Sequence, residues 1–511
     1  MQGRKDYQPK MLYQIHLDDL VPQDNFYRQL SKEVDFHFLY KSTSAYYGNE
    51  GQESIDPVVF FKLCLVGYLN NINSDRKLIA YSSNCLDVRL FLGYDIDESL
   101  PWHSTISRTR QLYGEEVFLD LFKQILCLCV DKGMVRGKRQ AVDSAFVKAN
   151  ASMDSLVEKE VIAKDAEVYA EELNAGSQYK VSKERKEWVE QHHRWKTEAY
   201  KDMPGHNKTT IRKDEFGNEI RPRFLSNHTH YSGTDKDARI SVKPGKSRQM
   251  NYFAQVAVDD KHHVITGAMA DFADKRDSQC LPNILNQTIE NLKENDIDIE
   301  QICADAGYSS GSSLSYLEEK KIDAYIPNFG QYKNSREGFV YNKELDRYEC
   351  TRGNKAVLPF RKQIIDSKGY EKKVYRSTNE KCKNCALRST CIGTSDFKKL
   401  DDSVAKPYYD RMHEKLQTPY AKRMSKIRSK TVEPVLGTLI NYMNMKRVNS
   451  RGIRQATKHV ILSALCYNLK KYLKFIAKNR KTTAQRMELS EQLQSFIKMI
   501  SIEAYRYKIS H

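Results

Sequence analysis

The chain has 511 residues, with 83 Lys and Arg against 66 Asp and Glu, for a formal net charge of +17. That length predicts two to four domains, and a 40% hydrophobic content excludes a wholly disordered chain. No segment reaches the roughly 18 to 20 uncharged apolar residues of a membrane span. The longest apolar run, Leu121 to Val130, contains Lys123, and the opening MQGRKDYQPK has no apolar stretch behind its charges, as a secretory signal would. A soluble, intracellular protein is expected.

Residues 1–135 read as helical. Asp56-Pro57 is an N-cap followed by proline at the first helical position, and the apolar run from Val58 to Gly67 continues for about three turns. Asn73-Ser74-Asp75-Arg76 opens a second helix. Pro101 to Arg110 is a turn running into a short helix that carries Arg108 and Arg110. Short helices with tight connections and a basic last helix fit a helix-turn-helix-like DNA reader, and a plain helical bundle fits nearly as well.

From Lys138 the texture changes. Residues 140–147 read as a strand, 154–200 as a charge-rich helical insertion and 204–250 as loop. Strands resume at Tyr252–Val258 and Val264–Met269 around a turn at Asp259-Asp260. A helix over Ser278–Asn295 follows, then a strand from Ile299 into a turn at Gly307, a helix over Ser312–Lys320 and a strand at Asp323–Pro327. This order predicts an α/β fold, a mixed sheet with helices packed on it. Residues 328–400 are an insertion rich in Tyr, Lys and Cys, and the chain is helical again from Pro407. The expected units are 1–135, 136–327 with an insertion at 151–250, 328–400, 401–480 and a C-terminal helix at 481–511.

The positive charge is concentrated. Between Arg411 and Arg480 lie 17 Lys and Arg against only Glu414 and Glu433. Such a surface is the footprint of a polyanion, because neutralising phosphates releases counterions. Lys446, Arg447, Arg451, Arg454 and Lys458 are spaced to lie along one basic helical flank and are assigned phosphate contacts. A lone carboxylate in that field, Glu433, is favourable only with a cation on it. Asp143 and Asp305 each fall near the end of an expected strand, where ligands of α/β sheets bind. Three carboxylates can hold two divalent cations about 3.5 to 4 Å apart, and hard oxygen ligands favour Mg²⁺ or Mn²⁺. Pro434 places Glu433 at a helix start or a kink.

Val142-Asp143-Ser144, Ala304-Asp305-Ala306-Gly307-Tyr308 and Val432-Glu433-Pro434-Val435-Leu436-Gly437 resemble the three signature blocks of bacterial insertion-sequence DDE transposases. Gly233–Arg239, Tyr252–Asp259, Ile55-Asp56-Pro57 with Ser74 and Arg76, and the tail from Arg451 to Leu469 resemble further blocks of that family, so the likeness spans roughly residues 50–475. It implies an RNase H-like core with Asp143, Asp305 and Glu433 as the catalytic, metal-binding triad. It also implies Mg²⁺ or Mn²⁺ as cofactor, double-stranded DNA (element ends and target) as substrate, at least a homodimer, no membrane association and a cytoplasmic, nucleoid-associated location. The implied reaction is metal-dependent strand cleavage followed by strand transfer. A catalytically silent DNA-binding descendant and a hydrolysis-only nuclease are the alternatives. Relatives often carry Lys seven positions after the Glu; here that residue is Ile440, leaving Lys446 or Arg447 for such a contact. Tyr420 and Arg423 correspond to the Tyr and Arg that accompany the Glu, with Arg423 on DNA.

Eleven cysteines are present, and Cys64, Cys127, Cys129 and Cys466 sit singly in apolar runs, as buried free thiols do. Cys382-x2-Cys385-x5-Cys391, with Cys350 upstream, lies instead in a polar stretch. These four suit a structural Zn²⁺ site in a zinc-ribbon-like insertion; metal-free thiols are the alternative. His192-His193 and His262-His263 read as surface residues, Trp188 and Trp195 as core packing, and the amphipathic Met487–Ile502 segment as a subunit contact.

Overall fold

A computed structural model describes residues 16–48, 50, 54–158, 227, 230–241, 248–330, 332, 335–366 and 370–509; for residues 158, 481 and 483–509 only the backbone is described. Most of the expected insertion at 151–250, with Trp188, Trp195 and His192-His193, lies outside these residues, as do the side chains of Met487–Ile502.

The N-terminal part is all helical: α1 (Leu17–Leu20), α2 (Phe26–Glu33), α3 (Phe38–Thr43), α4 (Pro57–Leu69), α5 (Asp75–Asn84), α6 (Leu86–Leu92), α7 (His103–Leu112) and α8 (Glu115–Asp131). α4 begins as expected, the Asp56 carboxylate accepting from the Val58 N–H (2.6 Å) and the Val59 N–H (3.2 Å) ahead of Pro57. It is apolar nearly all round, with Phe60, Phe61, Leu63, Leu65 and Val66 buried, and is therefore the centre of its bundle. Two arginines hold this bundle together from inside. Arg89 donates to the carbonyls of Ser83, Asp95, Ile96 and Glu98, and Arg110 forks onto Asp75 (2.8 and 3.0 Å).

The central sheet contains β1 (Arg139–Lys148), β4 (Arg239–Ser241), β5 (Gln249–Asp259), β6 (Ile265–Phe272), β7 (Gln301–Cys303) and β8 (Asp323–Tyr325); β2 (Leu156–Glu158) and β3 (His230–Ser232) form a separate small pair. β5 runs antiparallel to β1 and to β6, while β7 is parallel to β1 and β8 is parallel to β7. Helices α9 (Asp277–Lys293) and α10 (Gly311–Glu319) connect the later strands. Leu156–Glu158, expected as the start of a helix, pairs instead with His230–Ser232.

The 328–400 segment is itself a sheet. β9 (Phe339–Asn342), β10 (Arg347–Cys350), β11 (Val357–Ile365), β12 (Glu371–Arg376) and β13 (Lys399–Ser403) form an antiparallel sheet in the order β13-β12-β11-β10-β9, with the short helices α11 (Asn379–Lys383) and α12 (Arg388–Cys391) between its last strands. Its small core is Tyr348, Leu358, Tyr375, Cys382 and Leu400.

α13 (Lys406–Leu416), α14 (Pro419–Tyr442) and α15 (Ile453–Ile509) complete the chain. α14 crosses β1, β5, β7 and β8, while α15 packs on α4, α8 and β6. As a result Phe60, Phe118 and Leu121 of the helical part, Ala145 and Val256 of the sheet, and Val435, Leu465 and Leu469 of the last helices share one continuous core. The opposite sheet face, with Val142 and Ala257, packs on Leu281, Ile284 and Leu314 of α9 and α10 and on Met412 of α13. α15 continues without a break through residue 481, so the expected 481–511 helix is the end of a longer one. Among the described residues no helix is long and apolar enough to cross a membrane.

Candidate active site

The three acids of the expected triad come from neighbouring elements. Asp143 is at mid-strand in β1, on the face shared with Ala141 and Ala145 that α14 covers. Asp305 follows the end of β7, the parallel neighbour of β1, and its Oδ1 accepts the Gly307 N–H at 2.9 Å in a tight turn. Glu433 lies inside α14 beside Pro434, so the helix start expected as one of its two placements does not apply.

Arg428, also on α14, ties the helix to the strand. Its Nη1 donates to Asp143 Oδ2 at 2.8 Å and its Nη2 to Glu433 Oε1 at 2.9 Å. The side chains of Asp143 and Arg428 are 15% and 16% exposed, whereas Glu433 is 55% exposed, so the pocket has a buried floor and an open lip. Burial raises the Asp143 carboxyl above the usual carboxylate range and the negative charge of Asp305 adds to this, against the Ser144 N–H and the Arg428 guanidinium.

A fourth carboxylate sits beneath the turn. Asp277, the first residue of α9, accepts from Ser144 Oγ at 2.5 Å. A Cβ at Gly307 would lie 2.6 Å from Asp277 Oδ2 and 3.0 Å from Asp305 Oδ1, so only glycine lets the two carboxylates flank that turn. Tyr308 is fully buried below, its hydroxyl donating to Gln255 Oε1 of β5 at 2.6 Å.

Among the described residues no three His, Cys, Asp or Glu side chains are close enough to share one metal ion. The donor chemistry nevertheless suits a hard divalent cation. Asp143 and Glu433 contribute only carboxylate oxygens, and a cationic guanidinium already lies between them within 3 Å of each.

The basic residues divide. Lys422, Arg423, Lys426 and Lys430 are exposed on α14, and positions 422, 426 and 430 form one stripe leading to Glu433. Lys446, Arg447, Arg451 and Arg454 are exposed, as is Arg108 on α7. Arg110 and Lys458 are not available to phosphates: Arg110 is committed to Asp75, and Lys458 is only 2% exposed, its ammonium donating to the carbonyls of Arg110 (3.0 Å) and Tyr113 (2.5 Å). The expected helical flank is also broken, since residues 446–452 form the connection between α14 and α15, where Arg447 bridges to Lys148. Tyr420 packs far from the acids, on Arg139, Gln301 and Tyr325. The arginine that meets Glu433 is therefore Arg428 and not Arg423. The available signal was an Arg five residues before the Glu on the same helix, within reach of its long side chain.

In the insertion, Cys350, Cys382, Cys385 and Cys391 line a single cavity of about 330 Å³. Cys350 Sγ contacts the Arg352 carbonyl (2.8 Å) and Cys382 Sγ the Ser377 hydroxyl (3.0 Å). Gly353, at φ +56°, passes so near Cys385 that a Cβ there would lie 2.5 Å from the sulfur. Four thiols on one cavity are the donor type Zn²⁺ takes, though here no three of them are close enough to share one ion. Of the four cysteines expected to be buried, Cys64, Cys129 and Cys466 are, while Cys127 is half-buried. His262 and His263, expected at the surface, are half-buried, His262 packing edge-on to Phe475.

Two families match this chain: the one described as Transposase domain (DUF772) over residues 15–112, which takes in α1 to α7, and the one described as Transposase DDE domain over residues 349–473, which takes in the four cysteines, Arg428 and Glu433. No curated protein matches. A transposase region over the N-terminal helices followed by a DDE region implies a transposition enzyme, a class that acts on DNA. Both matches support an insertion-sequence DDE transposase.

Proposed function

We propose that this transposase binds the terminal repeats of its element, cleaves DNA there and transfers the freed 3′ ends to target DNA, using Asp143, Asp305 and Glu433. The observation carrying this reading is that Asp143 and Asp305 come from adjacent parallel strands while Arg428 holds Glu433 to Asp143. The strand order, three antiparallel strands with two parallel ones on the far side of β1, supports an RNase H-like core. The triad would hold Mg²⁺ or Mn²⁺, which when bound supplies the positive charge that activates a water or 3′ hydroxyl and stabilises the leaving oxygen. The chain's own part is to position. The Asp305 turn is fixed by Gly307, and exposed Lys422, Arg423, Lys426 and Lys430 on α14, with Lys446, Arg447, Arg451, Arg454 and Arg108, hold the phosphodiester backbone over the acids. The helical N-terminal part contributes to end recognition. The four cysteines hold a structural Zn²⁺, and two chains pair to bring two ends together.

The test is cleavage of element-end DNA in Mg²⁺ by the wild type and by Asp143→Ala, Asp305→Ala and Glu433→Ala. Loss of both nicks and joined products in all three variants is expected, and unchanged cleavage in any one overturns the triad. Nicks without joined products from the wild type would restrict the chain to hydrolysis.

A further inference from the structure

We infer that Arg428 is the resident counter-cation of the acidic pocket, and that a divalent metal ion reaches Asp143 and Glu433 only by displacing it. This rests on the triad reading above.

The guanidinium spends both its terminal nitrogens on these two acids, at 2.8 and 2.9 Å. Asp143 Oδ1 already accepts the Ser144 N–H at 2.8 Å, so a metal ion shared by the two acids competes with Arg428 for Asp143 Oδ2 and for the space in which the guanidinium holds Glu433 Oε1. An arginine cannot make room by losing its proton, because its charge is permanent across the accessible pH range. It can only swing away, and the exposed Glu433 side of the pocket gives it a path out.

The contact also offsets a charge conflict in the metal-free site. Asp143 and Asp305 repel each other in a partly buried site, and a fixed cation offsets that repulsion. Divalent metal therefore has to compete with a built-in ligand for the same carboxylates. A weaker hold on Mg²⁺ or Mn²⁺ in the absence of DNA follows. Arg428 is in this sense a positioning residue, setting metal affinity through the acids it holds.

The test is Mn²⁺ titration calorimetry on the full-length chain without DNA, with thermal unfolding of the metal-free protein, for the wild type, Arg428→Met, Arg428→Lys and Asp143→Asn. Arg428→Met is expected to bind Mn²⁺ about tenfold or more tightly than the wild type and to melt at a lower temperature without metal. Arg428→Lys, which keeps the charge without the fork, is expected to fall between them and serves if the Met variant does not fold. Mn²⁺ affinity that is unchanged or weaker in the Arg428 variants, but lost in Asp143→Asn, overturns the inference and leaves the triad standing. Equal Mn²⁺ binding by the wild type and Asp143→Asn overturns the triad as the metal site, and the inference with it.

Discussion

Lys458 and Arg454 lie one helical turn apart at the start of α15, and both look like phosphate contacts, yet they are predicted to respond oppositely to substitution. Lys458 is a core residue whose ammonium satisfies two carbonyls, one of them in the last turn of α7, where helix carbonyls lack internal partners. Lys458→Met keeps the stem beside Phe118 and removes only the donors. Each orphaned buried carbonyl costs about 1–3 kcal/mol. Part of that is offset because burial already lowers the Lys458 pKa, marking a desolvation cost that the methionine does not carry. A net loss of about 2 kcal/mol remains, or roughly 4–8 °C in Tm for a cooperative unit of about 150–250 residues sharing this core. Arg454 is exposed, and Arg454→Ala should leave Tm unchanged. DNA binding measured across a salt series separates the two: each phosphate contact contributes about 0.9 to the slope of log K against log salt. Arg454→Ala should lose about that much and Lys458→Met nothing. A Lys458→Met protein with wild-type Tm and a shallower salt slope would refute the buried placement.

Gly307→Ala should reduce strand cleavage by about a hundredfold at near-normal Tm, since its Cβ must push Asp305 or Asp277 aside; wild-type cleavage would show the turn is not part of the site. Asp277→Asn, which keeps an acceptor for Ser144 Oγ but removes a charge, should fold normally and need more Mn²⁺ for half-maximal cleavage, and an unchanged metal requirement would limit Asp277 to structure. His459 is buried with its Nδ1 against the Tyr68 hydroxyl and its Nε2 unpartnered, and burial lowers its pKa to about 3. Its unfolded form takes up a proton below the ordinary histidine pKa and its folded form does not, so stability is full above that pKa and falls as pH drops toward 3. By pH 5 the loss is about 2 kcal/mol, and His459→Gln should flatten the melting profile between pH 7 and 5; an unaltered profile rules out this histidine. Purified protein should carry about one Zn²⁺ per chain, lost in Cys385→Ser along with protease resistance of the insertion; zinc-free wild type with an equally resistant insertion would leave the thiols metal-free.

Much of this was legible in the sequence because it depended on local signals. Asp56-Pro57 marks a helix start by dihedral preference and capping alone, and the apolar runs of β5 and β6 read as strands because both faces of the sheet are covered. Asp143 stands out as a carboxylate within an apolar strand and Asp305 as one just beyond a strand's end, each costly to bury without a partner. What was not legible depends on partners distant in the chain. Lys458 differs from Arg454 only through the carbonyls of Arg110 and Tyr113, some 345 residues earlier. The Arg428–Asp143 pair spans 285 residues, and no spacing rule within α14 points to it. The strands β9 to β13 were missed because β11 alternates poorly, with most of its residues exposed.

The shared core carries a consequence for synthesis. Phe60, Phe118 and Leu121 are covered by Leu465 and Leu469, residues translated some 350 to 400 positions later. Until α15 leaves the ribosome, the first helices present an open apolar face to solvent. A chain ended early by a frameshift or stop codon would keep that face bare and be prone to aggregate or be degraded.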